Sequence, residues 1–219
     1  RSIAVKAKAM LHDKSDMVRC IRVGIFVSEK IACFAGAGGL VTIVIVHPLD
    51  RCSDFEPVFN AVKHLCIDGV ELVVALMGSG KAEGKVRKLI SDLGLGNVVN
   101  IVPEMRPLRQ VFSGADIFLK PKCSGDFDFA LLDAMSEGMA VAACKGNDDE
   151  LLQAGQTAAL FDEDDQVSIY TTLAALIRQK DYSRNLAAEA QNLLRREYRV
   201  SRMVTEIIEM YRQVIAAAK

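Results

Sequence analysis

Short runs of β-branched and other apolar residues, each followed by a stretch of helical period, limit this chain to few folds. The clearest run is Val41–Val46 (VTIVIV), too short for a helix and too apolar for an exposed strand. Val70–Met77, Val98–Val102, Ala115–Leu119 and Ala140–Ala143 repeat it, and Ala158–Phe161 adds a shorter one. The intervening spacing predicts helices over Glu56–Ile67, where Val58, Ala61, Val62 and Leu65 share a face, and over about Lys81–Leu93, Pro107–Ser113 and Asp128–Glu137. Gly138 closes the last of these. A short helix at Asp148–Ala154 is expected next, then helices at Gln166–Arg178, Tyr182–Arg196 and Ser201–Ala217. Continuous apolar strands are strands covered on both faces. Strand and helix in alternation imply right-handed parallel crossovers. The expected fold class is α/β: a Rossmann-like parallel sheet with helices on both faces, plus C-terminal helices. Ahead of it, Ile21–Val27 reads as a further strand, and Gly36, Gly38 and Gly39 break the chain.

Apolar residues make up 51% of the chain, so a large core can be buried. Lys plus Arg number 27 against 28 Asp plus Glu, and Trp is absent. That balance argues against a strongly basic nucleic-acid binder and against a base-stacking platform. The cysteines at 20, 33, 52, 66, 123 and 144 form no C-x-x-C pair and suit neither a zinc cage nor a disulfide scaffold. They lie in or beside apolar runs, as small hydrophobes do, and a reducing, cytoplasmic setting is expected. The apolar stretch Ile31–Val46 holds three glycines and reads poorly as a membrane span. The chain begins with Arg1 rather than Met, which suggests a piece of a longer protein.

Ligands of an open parallel sheet bind outside the carboxyl ends of its strands. The loops after Val46, Met77, Val102 and Leu119 are therefore the places for chemistry. The second reads Gly78-Ser79-Gly80-Lys81-Ala82-Glu83-Gly84. It is not a Walker loop, because Ala82 stands where a magnesium-binding hydroxyl is needed. Its glycines serve either to bring backbone N–H groups to a phosphate or to allow tight strand-to-helix packing. His47 is the only histidine near these loops, and the histidines show no metal spacing. Cys123 and Ser124 have no visible base partner. Asp162–Asp165 reads as a solvated acidic loop preceding a helix whose N-terminus favours carboxylates.

The segments VIVHPLDRCSDFEPVFNAVKHL from Val44, ELVVALMGSGKAEGKVRKLISDLGLGNVVNIV from Glu71, ADIFLKPKCSGDFDFALLDAMSEGMAVAAC from Ala115 and EYRVSRMVTEIIEMYRQV from Glu197 are colinear. In order and spacing they resemble the donor-binding half of group 1 (family four) retaining glycosyltransferases of the two-Rossmann, GT-B type. The resemblance covers about Val41 to Lys219. It implies a Rossmann-like nucleotide-sugar-binding domain over residues 41–219, with residues 1–40 as linker and a possible remnant of an N-terminal, acceptor-binding domain. Within that stretch, CIRVGIFV from Cys20 resembles the interdomain linker. The implied reaction is transfer of a sugar from a nucleotide donor with retention at the anomeric carbon. It involves no Asp-x-Asp metal and no cofactor beyond the nucleotide-diphosphate sugar itself. The cleft of that architecture lies between two domains, so this chain alone is not expected to turn over.

By the same resemblance the donor-binding positions are Ser53, Gly78, Gly80, Met105, Lys122, Gly125, Phe127, Asp128, Phe129, Asp133 and Glu150. Several depart from the family pattern. Its diphosphate-clamping Arg and Lys fall on Pro48 and Ser53, and the glycine after that Lys on Asp54. The two glutamates of E-x₇-E fall on Gly125 and Asp133. Two small residues at a helix start become Asp126 and Asp128. Pro48 and Ser53 supply no cation, and carboxylates at a helix start take up the field that attracts an anion. Asp133 still offers an acceptor for ribose hydroxyls. A substitute clamp is open to Lys122 with Arg51, with Lys120 and Lys81 nearby, although surface lysines and arginines are more often solvated and uninvolved. Glu150 matches the acid closing the family's glycine-glycine-x-x-E segment, and otherwise caps the helix expected from Asp148. The competing reading is a degenerate homologue acting as a scaffold or interaction module. The arginines of the last helix alternate with Glu197, Glu206 and Glu209, and Met203, Ile207, Met210 and Val214 form a stripe. Packing onto the domain or onto an N-terminal domain is expected of it, while a membrane surface is not indicated.

Overall fold

In a computed structural model of the chain, residues 19–35, 39–103, 105–123, 128–146 and 150–217 are described. The apolar runs form one sheet of β1 (Val41–Val46), β2 (Leu72–Met77), β3 (Val99–Val102), β4 (Ile117–Lys120), β5 (Ala140–Cys144) and β6 (Ala159–Phe161). The strand order is β3-β2-β1-β4-β5-β6, and every pairing is parallel. β1 runs beside β2 from Val41–Leu72 to Val46–Met77, and meets β4 at Ile43–Ile117 and Val44–Phe118. The helices are α1 (Glu56–Ile67), α2 (Glu83–Asp92), α3 (Leu108–Phe112), α4 (Phe129–Glu137), α5 (Gln166–Arg178), α6 (Lys180–Glu197) and α7 (Val200–Ala217).

The strands lack polar alternation because both faces of the sheet are dry. Ile43, Ile45, Val74, Leu76, Ile117 and Leu119 point to one side, against Phe55, Phe59 and Leu65 of the α1 region and Leu173 and Leu176 of α5. Val44, Met77, Phe118, Val141 and Ala143 point to the other, against Phe112, Leu131, Met135 and Leu194. This is the doubly wound arrangement the pattern predicts.

Local sequence fixes the helix ends. Asp128 and Asp165 cap α4 and α5 by accepting from backbone N–H groups one turn on. Gly138 ends α4 at φ 78°, and a Cβ there would stand 2.7 Å from Ile31 Cα.

Two expected elements are absent. Ile21–Val27 is not a strand, because its backbone finds helix ends and a turn rather than a sheet edge. Ile25 N–H donates to Tyr198 O (2.8 Å) and Ser28 N–H to Ser136 O (2.9 Å). The same segment goes on to Glu137 and Gly138 through Ala32 and Cys33. Nor does a helix span Asp148–Ala154: among its described residues, 150–151 turn and Ala154 bridges Ala158. The remaining boundaries shift by one or two residues. The expectations for Arg1–Asp16, Gly36, Gly38, Ser124, Gly125, Asp126, Phe127 and Asp148 lie outside the described residues.

α7 lays Met203, Ile207 and Met210, all half-buried, along the domain side. Met203 Sδ accepts from Gly24 N–H, and Arg19 donates to Gln213 Oε1 (3.1 Å). Val214 does not join them and is exposed, as are Val204, Ile208, Tyr211 and Ile215. No helix among the described residues is long and apolar enough to cross a membrane.

Candidate functional site

The strand order reverses between β1 and β4, so the crossovers leaving these two neighbours depart to opposite sides. In open sheets of this order the place for a ligand is the crevice outside the carboxyl ends of those two strands. His47 follows β1 directly, and Lys120 is the last residue of β4.

The loop after β1 is held by the glycine loop after β2. Leu49 N–H donates to Ser79 O (3.0 Å) and Ala82 N–H to Leu49 O (2.8 Å). A Cβ at Gly78 would come 2.1 Å from His47 O, and one at Gly80 would come 2.4 Å from the Leu49 carbonyl carbon. Both glycines are thus required for close approach to the backbone of the loop after β1, a contact that differs from the strand-to-helix packing expected. Ser53 lies exposed in a 3₁₀ turn, Cys52–Asp54, that leads into α1.

Within the first loop, His47 stands edge-on to Phe55 and places Nε2 3.4 Å from Asp54 Oδ2. Burial pulls the imidazole below its ordinary pKa, against the opposing pull of Asp54. Asp54 is buried and also faces Arg51 Nε at 3.4 Å. Neighbouring Pro48 is exposed and lacks an N–H.

Across the crevice, Lys120 is 5% exposed at the end of an otherwise apolar strand. Its ammonium pairs with Asp128 Oδ2, while Asp128 Oδ1 accepts from Leu131 N–H (3.0 Å). Lys120 is close enough to act on His47 electrostatically. Lys122 meets the acidic run, at Glu163 (2.9 Å) and Asp164 (2.5 Å). Burial pulls its pKa down, but those two carboxylates more than offset it and leave the ammonium raised. Lys145 pairs with Asp162 (2.9 Å). The acidic run is therefore an exposed loop that caps α5 through Asp165, as expected, and also binds two lysines at the ends of β4 and β5.

Asp133 lies half-buried on α4, and burial raises its carboxyl pKa even though the Arg109 guanidinium pulls it down. Arg109 is held by Glu137, one turn along, at 2.5 Å. Arg106 also lowers the Asp133 pKa, more weakly; neighbouring Met105 is exposed. Phe129 opens α4 and is 59% exposed. Among the described residues Glu150 caps no helix and receives Arg22 (2.5 Å), which also reaches Glu197 (2.8 Å). Cys123 donates its thiol to Cys144 O and Lys145 O. Among the described residues no cluster of metal-ligating side chains is present.

Lys120 paired with Asp128, and His47 with Asp54, are thus what the switch point brings together. Lys122 and Glu150 lie outside this group. The sequence offered one signal for Lys120, a lysine ending a fully apolar strand, but its partner eight residues on was not deduced.

An open parallel sheet with this strand order, polar groups at its switch point and a helical C-terminal extension defines a Rossmann-type binding domain. A family model for group 1 glycosyl transferases matches residues 42–179, and the chain belongs to that family. N-acetyl-alpha-D-glucosaminyl L-malate synthase of Bacillus anthracis is 22% identical over 193 residues, which cover 88% of this chain and 48% of that protein. Anabaena Alr3699/HepE, solved with UDP and glucose, superposes at a TM-score of 0.75 with 16% identity, covering 90% of this chain and 57% of that one. The pneumococcal O-GlcNAc transferase GtfA, solved with UDP and GlcNAc, gives 0.74 at 12% identity, covering 96% and 44%. The C-terminal domain of LpcC from Francisella tularensis gives 0.63 at 15% identity, covering 73% and 87%. These solved structures share the GT-B Rossmann-like fold with this chain. The chain spans about half the length of the curated relative it matches.

Proposed function

We propose that this chain is the donor-binding half of a retaining glycosyltransferase, with a nucleotide-diphosphate sugar lying across the ends of β1 and β4. A second, acceptor-binding domain would face that crevice and complete the cleft. The observation that carries the reading is the half-buried Asp133 on α4, the helix that follows β4, whose carboxyl would serve as an acceptor for ribose hydroxyls. That two relatives of this fold are described with UDP supports the choice of a nucleoside diphosphate. The six free thiols suit a reducing cytoplasm. Calorimetric titration of the chain with UDP, GDP and ADP at low salt tests the reading. Saturable binding of one nucleotide is expected, and no binding at millimolar concentration would overturn it.

One observation favours a second reading, a degenerate homologue that serves as a scaffold. The cations open to replace the missing clamp, Lys122 and Arg51, both face carboxylates of this chain. In that case the titration stays flat for all three nucleotides.

A further inference from the structure

Lys120 ends β4 with its ammonium almost wholly out of water, where a charged lysine persists only against a carboxylate. Asp128 supplies it. The same side chain caps α4, so one of its oxygens meets the cation and the other a helix N–H. A buried cation and an open helix start are the two things a diphosphate needs at a strand-to-helix turn. Here both are bound to one internal carboxylate, at the switch point and within electrostatic reach of His47.

We infer that Asp128 sets the donor affinity of this crevice: its carboxylate holds, on Lys120 and the start of α4, the place a donor diphosphate would take, and the two anions compete for it. The inference rests on the donor-binding reading above and names the residue that governs it. Lys120 is the cation at stake, because Lys122 reaches the acidic loop and Arg51 faces Asp54. A diphosphate that displaces Asp128 gains the lysine and the helix field. It must also leave the Asp128 carboxylate beside another anion, in a setting that screens it poorly. The competition therefore weakens binding without abolishing it.

Ser at position 128 keeps a capping oxygen and removes the competing charge. The experiment is calorimetric titration of the whole chain with UDP at low salt, using wild type, Asp128→Ser and Asp128→Ser/Lys120→Met. Asp128→Ser is expected to bind at least about tenfold more tightly than wild type, in line with one charge-assisted hydrogen bond regained. The double variant is expected to fall back to the wild-type level or below. Asp128→Asn, whose amide oxygen still meets Lys120, guards against loss of folding and is expected to lie between wild type and Asp128→Ser. Circular dichroism and thermal melts establish that each variant is folded. If wild type binds UDP and neither Asp128 variant binds more tightly, the inference is overturned and the donor reading stands. A double variant as tight as Asp128→Ser overturns the role of Lys120, and with it the inference. If no folded variant binds, both the inference and the donor reading fall.

Discussion

The backbone at Gly80 passes so close to Leu49 that a Cβ at position 80 would stand 2.4 Å from the Leu49 carbonyl carbon. Two crevice loops are locked together there, and the contact is backbone on backbone, so no side chain can yield. Gly80→Ala is expected to cost about 1–3 kcal/mol by overpacking. Gly84, on α2 with nothing within 4 Å of an added Cβ, is the control. Gly84→Ala is expected to stabilise by up to about 1 kcal/mol, since alanine is the better helix former. Urea unfolding of the two variants checks both signs.

Lys120→Met leaves Asp128 without its buried cation and is expected to destabilise the chain by about 3–5 kcal/mol. Lys120→Met combined with Asp128→Asn removes both charges and keeps a cap on α4, so it should recover most of that loss. A double-mutant cycle from chemical denaturation measures the coupling. Additive losses would mean that the pair is not coupled.

His47 predicts a pH dependence. Burial lowers its pKa from the ordinary 6.5, so the folded state resists a proton that the unfolded chain accepts. Its contribution is intact above about pH 6.5 and is lost as pH falls below that value, by at most about 1.4 kcal/mol per pH unit, until the folded state also protonates. His47→Gln is expected to flatten the fall in stability on the acid side of this value. Unfolding free energies measured at several pH values for both proteins decide it.

Asp133 carries an opposite pair of consequences. Its carboxyl pKa is raised by burial, so the ionised form is disfavoured in the folded chain. Asp133→Asn is expected to raise the melting temperature near neutral pH. On the donor reading it also weakens nucleotide binding by about tenfold or more, through loss of a charged acceptor for the ribose. Thermal melts and calorimetry on the same preparation test the two effects together.

Lys122→Ala separates a substitute clamp at Lys122 from the arrangement observed. The ammonium is committed to Glu163 and Asp164, both substantially exposed. The variant should lose about 1 kcal/mol or less and leave UDP affinity unchanged. A tenfold loss of affinity would return Lys122 to the crevice.

The sheet was legible because its signal is local: VTIVIV and LVVALM are too short for helices and too apolar for exposed strands. CIRVGIFV is apolar over most of its length and still fails as a strand, because pairing needs a free edge and Ile25 N–H goes to Tyr198 O at the end of α6 instead. The site was less legible for a related reason. Lys120 and Lys122 are two residues apart in a strand-to-loop sequence that does not show where either ammonium goes. The destination of Lys122 lies 42 positions away, in an acidic run that read as solvated. That of Lys120 is near in sequence, but only the depth of the β4 end makes Asp128 its necessary partner. Glu150 was assigned from a motif, while its guanidinium partner, Arg22, sits 128 residues earlier.

The segment from Ser28 to Cys33 grips the far end of α4, bonding to Ser136, Glu137 and Gly138. The near end of the same helix bears Asp128. Nine residues of α-helix make a stiff rod about 13 Å long. That rod joins the segment entering the domain, at one end, to the carboxylate that holds Lys120, at the other.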